Sequence, residues 1–241
     1  MRLLIVRHGD PDYENDTLTR KGRREADLLR DRLIKQPVTA FYCSPLGRAR
    51  DTAASTLKAF GMEATVCEWL REFEGYVRFT PFGEKRIPWD LMPASLAQEP
   101  LYFDRKAWLQ APLMQTGDVK EKYAAACAGL DALLARHGYV HEGSFFRAEN
   151  PNHDTVVLFC HFGIECVLLS HLLNISPVLL WQGFVALTTS VTTLVTEERE
   201  EGIASFRCNG FGDLSHLYAS DEPPSFAARF CETFADADQR H

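Results

Sequence analysis

The sequence predicts an α/β fold, a parallel sheet covered by helices, and three observations carry that reading. Short apolar, β-rich runs alternate with stretches of helical periodicity through the first seventy residues. A second such unit, an unbroken apolar run at 155–160 followed by a helical stretch, lies later in the chain. Pro37, Gly61 and Gly138 fall where periodic segments end. With 241 residues, 46% hydrophobic and 24% charged, the chain can bury a full core, and one domain over 1–241 is expected.

The elements follow in order. Residues 3–6 are an apolar run that reads as a buried strand ending at Arg7-His8-Gly9. Thr19 caps a helix to about residue 34, with Ala26, Leu29 and Leu33 on one face. Residues 38–43 form a second strand. The helix over 46–60 places Ala49, Ala53, Leu57 and Phe60 at helical spacing, and a short strand follows at 64–67. From about 76 to 117 the pattern breaks: Pro81, Pro88, Pro93, Pro100 and Pro112 punctuate a segment rich in Phe, Tyr and Trp, read as an ordered insertion over one edge of the core. The helix at 118–137 carries Tyr123, Cys127, Leu130 and Leu134 on one stripe. A polar loop leads to the strand 155–160, His161 stands at its end, and 164–173 is helical. Residues 190–196 and 203–208 flank a charged turn at 197–202 as a closing hairpin.

Composition narrows the function. Lys+Arg 26 against Asp+Glu 33 leaves a net charge of -7, so nucleic-acid and membrane-surface partners are not expected, and any anionic substrate must be held by a local cluster. No stretch approaches a membrane span. Arg7, His8 and Asp10 follow the first apolar residues too early for a signal-peptide core, and seven scattered cysteines suit reduced core thiols. A cytoplasmic location is expected.

In a parallel α/β sheet, residues just after separate strands meet at one edge. Here strand ends deliver Arg7 and His8, then Ser44-Pro45-Leu46 leading to Arg48, then His161. Two guanidiniums and two imidazoles make a compact anion site, for which phosphate is the natural guest. The motifs Val6-Arg7-His8-Gly9, Leu18-Thr19-x-x-Gly22, Ser44-Pro45-Leu46-x-Arg48-Ala49-x-x-Thr52-Ala53, Leu70-x-Glu72 and Cys160-His161-Phe162-Gly163 together resemble the histidine phosphatase superfamily, the phosphoglycerate mutase-like proteins. The resemblance implies a three-layer sandwich with a mostly parallel central sheet and helices on both faces. It implies a nucleophilic His8 that forms phosphohistidine, a phosphate pocket of Arg7, Arg48 and His161, and Glu72 as proton donor, with Glu74 the local rival. No metal or cofactor is implied, and a small phosphorylated metabolite is the expected substrate.

The chemistry agrees: neighbouring guanidiniums keep His8 neutral and nucleophilic, while Arg7, Arg48 and a protonated His161 would stabilise the transferring phosphoryl group. Other patterns fit less well. Asp10-Pro11-Asp12 resembles the paired aspartates of haloacid-dehalogenase-like phosphatases, but Arg7-His8-Gly9 separates it from the strand. Cys43 precedes Arg48 by four intervening residues, where a cysteine phosphatase loop has five. His137 and His141 have Gly138 between them and no obvious third ligand, so they read as residues at a helix end. Arg50 reads as helix surface, and His216 in Asp213-Leu214-Ser215-His216-Leu217 as part of a structural tail. Mutases of this family follow Arg-His-Gly with Glu-Ser-x-x-Asn; Pro11 and Glu14 depart from that pattern, and Glu14 would repel a phosphorylated acid. A phosphohydrolase is therefore expected, with mutase-type transfer or a non-catalytic phospholigand-binding protein as alternatives.

Overall fold

In the computed structural model, residues 1–79, 83–226 and 231–238 are described. Eight strands make the central sheet: β1 (Arg2–Arg7), β2 (Ala40–Cys43), β3 (Ala64–Val66), β4 (Tyr139–Glu142), β5 (Phe145–Ala148), β6 (Thr155–Cys160), β7 (Val191–Glu200) and β8 (Ile203–Asp213). Their spatial order is β3-β2-β6-β1-β7-β8-β5-β4. The pairs β3–β2, β2–β6 and β6–β1 are parallel, and the remaining pairs are antiparallel. Alternating directions across that second half leave only β7 and β5 running against the other strands, so the sheet is mixed but mostly of one sense.

Five longer helices accompany it: α1 (Arg20–Leu33), α2 (Gly47–Phe60), α3 (Val119–Arg136), α4 (Phe162–Leu173) and α5 (Pro177–Gly183). The two-residue period of the strands sorts their side chains onto two cores. Leu4 and Val6 of β1, Phe41 of β2 and Val157 and Phe159 of β6 pack under Leu29 and Leu33 of α1 and Ala49 and Ala53 of α2. Their neighbours Leu3, Ile5, Tyr42, Val156 and Leu158 face the other way, against Leu130 and Leu133 of α3 and Ile164 and Leu168 of α4. Helices thus cover both faces, the three-layer sandwich that the resemblance implies. No helix among the described residues is long and apolar enough to cross a membrane.

Local chemistry explains most element ends. The Thr19 hydroxyl accepts from Gly22 N at 3.0 Å as the cap of α1, and Gly61 ends α2 in the left-handed region at φ 62°. Two expectations need correction. The stretch after Gly138 is not a polar loop: it is the β4–β5 hairpin, turned at Gly143 with φ 65° and anchored by buried Tyr139, Phe146 and Ala148. The closing hairpin is also longer than expected, because charged 197–200 continue β7 with exposed side chains and the chain turns only at Glu201-Gly202. Among its described residues, the segment from 76 to 117 has no long element. It consists of a two-strand ribbon (Val77–Arg78 with Lys85–Arg86), the one-turn helix Pro93–Leu96 and three 3-10 turns, and its Leu91, Tyr102, Trp108 and Met114 are buried in the α3–α4 core. Pro81 and Phe82, counted in the sequence pattern of this segment, lie outside the described residues.

Leu158 is fully buried in the middle of β6. Leu158→Ala is expected to destabilise the protein by about 2–5 kcal/mol, measured by urea unfolding. A cost well under 1 kcal/mol would mean that β6 does not pack between the two helical layers as described.

Candidate active site

Strand register builds the site. In the β1–β6 pair Arg7 lies opposite Cys160, and in the β6–β2 pair Phe159 lies opposite Cys43. The three strands therefore end level, and His8, His161 and Ser44 leave the sheet side by side. The rings of His8 and His161 are 5.1 Å apart between centroids. Arg7, His8 and His161 are all buried.

Each group is held from behind. His8 Nδ1 lies 2.8 Å from the Gly9 carbonyl oxygen, which can only accept, so Nδ1 carries the proton and the lone pair is on Nε2. Burial, with the Arg7 and Arg48 guanidiniums beside it, keeps the imidazole well below its ordinary pKa, so it is neutral at pH 7. Gly9 N donates to Thr52 Oγ1 at 2.9 Å, and Thr52 Oγ1 donates to Arg48 O at 2.7 Å, which ties the His8 loop to the first turn of α2. Gly22 serves the same loop by close approach, because a Cβ there would collide with the Asp10 carbonyl.

Arg7 Nη1 donates to Ala186 O at 2.6 Å, and Arg48 Nη1 pairs with Asp16 Oδ1 at 2.7 Å. Asp16 sits in the left-handed region at φ 47°, where its other oxygen accepts from Gly47 N at 2.7 Å. Against the upward pull of burial, that N–H and Arg48 hold Asp16 below the usual carboxylate range. Arg48 Nε, also buried, has no protein partner among the described residues. The Tyr13 ring lies 5.5 Å from the Arg48 guanidinium and edge-on to His8, with its hydroxyl beside Arg7.

His161 Nε2 is 2.8 Å from Ser44 Oγ, which also accepts from Leu46 N at 3.2 Å. Since the hydroxyl proton is then free to go to Nε2, the geometry assigns the ring proton to Nδ1, buried and without a protein partner among the described residues. Burial, then His8, Arg48 and Arg7, hold His161 well below its ordinary pKa. This departs from the expectation of a protonated His161: at pH 7 it is a neutral N–H donor.

Glu72 follows the short 3-10 turn Glu68–Leu70 after β3 and reaches the start of α4. Its Oε1 accepts from Phe73 N at 2.8 Å and from Ile164 N at 3.1 Å, leaving Oε2. Burial raises its pKa, partly offset by the Phe73 N–H and Arg7. A Cβ on Gly163 would collide with the Trp89 ring and lie 2.7 Å from Glu72 Oε1, so helix, carboxylate and indole share one crowded corner. Trp89 comes from the 76–117 segment, packs on Trp181 and Phe73, and its carbonyl accepts from Gln182 Nε2 at 2.8 Å.

The other candidates lie elsewhere. Glu74 is exposed and pairs with Arg71 at 3.3 Å, Arg50 is exposed, and Asp10 accepts from Thr19 and Ser225 hydroxyls. His216 is buried with Nε2 3.1 Å from Thr189 Oγ1, behind the His8 loop. His137 turns to the Tyr42 hydroxyl and Asp154 and does not meet His141. Three positioning residues had no assigned role in the sequence reading: Asp16, Ser44 and Tyr13.

Glu165, four residues after His161 in α4, is buried behind Arg7, and burial pushes it up to about 8, so it is mostly protonated at pH 7. The folded chain keeps this proton up to about pH 8, while an ordinary Glu in the unfolded chain releases it near 4.5. Its contribution to stability is therefore full below about 4.5 and is lost as pH rises to about 8. Glu165→Gln is expected to gain stability relative to the parent between pH 5 and pH 8 by something on the order of a few kcal/mol, read from urea midpoints across that range. Parallel stability curves would contradict this placement of Glu165.

Comparison with known proteins gives a consistent picture. Residues 3–78 match the histidine phosphatase superfamily (branch 1). A probable phosphatase of Schizosaccharomyces pombe is 21% identical over 237 residues, spanning 92% of this chain and 97% of the relative. Among solved structures, a mutant phosphoserine phosphatase from Entamoeba histolytica in complex with phosphoserine is similar with a TM-score of 0.59 at 20% identity, over 90% of this chain and 98% of that one. A native mycobacterial glucosyl-3-phosphoglycerate phosphatase is similar with a TM-score of 0.60 at 24% identity, over 88% of this chain and 98% of that one.

Proposed function

We propose that this chain, a member of the histidine phosphatase superfamily, is a phosphomonoesterase that works through a phosphohistidine on His8. The observation that carries the reading is the buried His8 ring, its Nδ1 committed to Gly9 O and its Nε2 lone pair left in a pocket walled by Arg7, Arg48 and His161.

In the first step Nε2 attacks phosphorus. The bond from phosphorus to the substrate oxygen breaks, and that oxygen takes the electron pair and a proton from Glu72. Arg7, Arg48 and the Nδ1–H of His161 meet the charge on the three equatorial oxygens. In the second step water attacks phosphorus, Glu72 takes its proton, the P–N bond breaks and its electron pair returns to Nε2. The raised pKa of Glu72 suits a group that must start protonated. Two guanidiniums and one N–H donor meet the phosphoryl charge, so none of these steps calls on a metal.

Hydrolysis is favoured over return of the phosphoryl group to a bound acid. Glu14 is exposed and follows Tyr13, whose ring lies against Arg48 and His8, and with Asp12 it puts negative charge in the same short loop. We assign the substrate to small phosphorylated metabolites, the class to which phosphoserine, bound in one structural neighbour, belongs. Trp89 and its segment are proposed to roof the pocket over the organic part of that substrate. Buried free thiols such as Cys43, Cys160 and Cys166 support a reducing, cytoplasmic setting.

His8→Ala is expected to abolish an acid-labile, base-stable phosphoenzyme and to lower turnover by several orders of magnitude with the fold intact. Phosphate trapped at the parental level by folded His8→Ala would overturn the assignment. Glu72→Gln is expected to slow alkyl phosphates far more than p-nitrophenyl phosphate, whose leaving group needs little protonation, and to remove the decline of the alkyl rate at high pH. Equal losses on both substrates would remove Glu72 from the mechanism.

A further inference from the structure

A second group of ligating side chains meets well away from the pocket. Asp131 comes from α3, His171 from the last turn of α4 and His141 from edge strand β4, and one ligand atom from each lies within 4.8 Å of the others. The Asp131 carboxylate stands between the two rings, with Oδ1 2.7 Å from His171 Nε2 and Oδ2 3.4 Å from His141 Nδ1. The ring centroids are 4.5 Å apart. The side chains are 31%, 13% and 22% exposed for Asp131, His171 and His141, sheltered yet open to an arriving ion. Cys127 lies four residues before Asp131 on α3, is buried, and faces His171.

We propose that Asp131, His141 and His171 bind a divalent transition metal ion of the zinc type, with water completing the shell. Two imidazoles and a carboxylate are a donor set suited to zinc or cobalt and unsuited to magnesium or calcium, which take all-oxygen shells. The geometry is close to what such an ion needs. With metal–ligand bonds of about 2.0–2.2 Å in a tetrahedron, neighbouring ligand atoms stand about 3.3–3.6 Å apart. The His141–Asp131 separation of 3.4 Å already matches, and the His171–Asp131 separation of 2.7 Å has to open by less than about 1 Å.

A hydrogen bond between His171 and Asp131 would need only one imidazole. Here a second imidazole faces the other carboxylate oxygen. His171 lies ten residues beyond His161 along α4, about 15 Å at the helical rise, so the ion would pin α3, α4 and β4 together without touching the phosphate pocket.

The test uses the full-length chain stripped with EDTA and titrated with Co(II), then Zn(II). One equivalent of Co(II) should bind with the visible absorption of four-coordinate cobalt, and Zn(II) should displace it. His141→Ala and His171→Ala should each weaken binding at least tenfold, while His153→Ala, an exposed histidine, should change nothing. Phosphomonoester turnover should be unaltered in the His141 variant, which also reports that it is folded. Should His171→Ala fail to fold, His141→Ala on the edge strand decides alone. Absence of stoichiometric binding overturns the proposal. So does binding that survives His141→Ala, or that disappears in His8→Ala, which would move the ion to the phosphate pocket.

Discussion

The level ending of three parallel strands is the constraint on which the rest depends. Because β1, β6 and β2 run in register, the residues that follow them leave the sheet at one height, and side chains far apart in the chain become neighbours. A shift of one residue in β6 would exchange its two hydrophobic faces and carry His161 out of line with His8, so the packing of both cores and the geometry of the site rest on the same pairing. Buried, close-packed strands are what make that register costly to change, since Leu158 and Phe159 each fill a different core.

Burying two guanidiniums beside two imidazoles sets the electrostatics. Charged groups out of water need partners, and each is given one: Ala186 O for Arg7, Asp16 for Arg48. The imidazoles respond by staying neutral, which is the state that both a nucleophile and an N–H donor require. The carboxylic acids respond the other way. Glu72 and Glu165 are both raised in pKa by burial, Glu165 to about 8.

Arg7, His8, Arg48 and His161 were legible in the sequence because each lies at or just beyond a strand end, where polar residues interrupt an apolar run. Asp16 was not, since its contact with Arg48 spans 32 residues and depends on a left-handed backbone that no periodicity reports. Ser44 stood inside a motif, but its bond to His161 exists only once two strands pair. The β4–β5 hairpin read as a loop because few of its positions face the core; Gly143 between aromatic residues was the signal to follow. Helix α5 has its signal in Ser176-Pro177, a cap followed by proline at the first helical position, but it is too short for periodicity to mark it. The 76–117 segment is ordered by aromatic packing with α3 and α4, which sequence spacing cannot display.

We propose that these strand ends form one phosphoryl-transfer pocket with His8 Nε2 as its nucleophile, and a crystal structure of the protein grown with vanadate tests this most directly. Vanadium is expected in line with His8 Nε2, its oxygens within hydrogen-bond distance of Arg7, Arg48 and His161 Nδ1, and Glu72 beside the apical oxygen. Vanadate bound away from these residues, or a His8 ring turned so that Nε2 points out of the pocket, would contradict it.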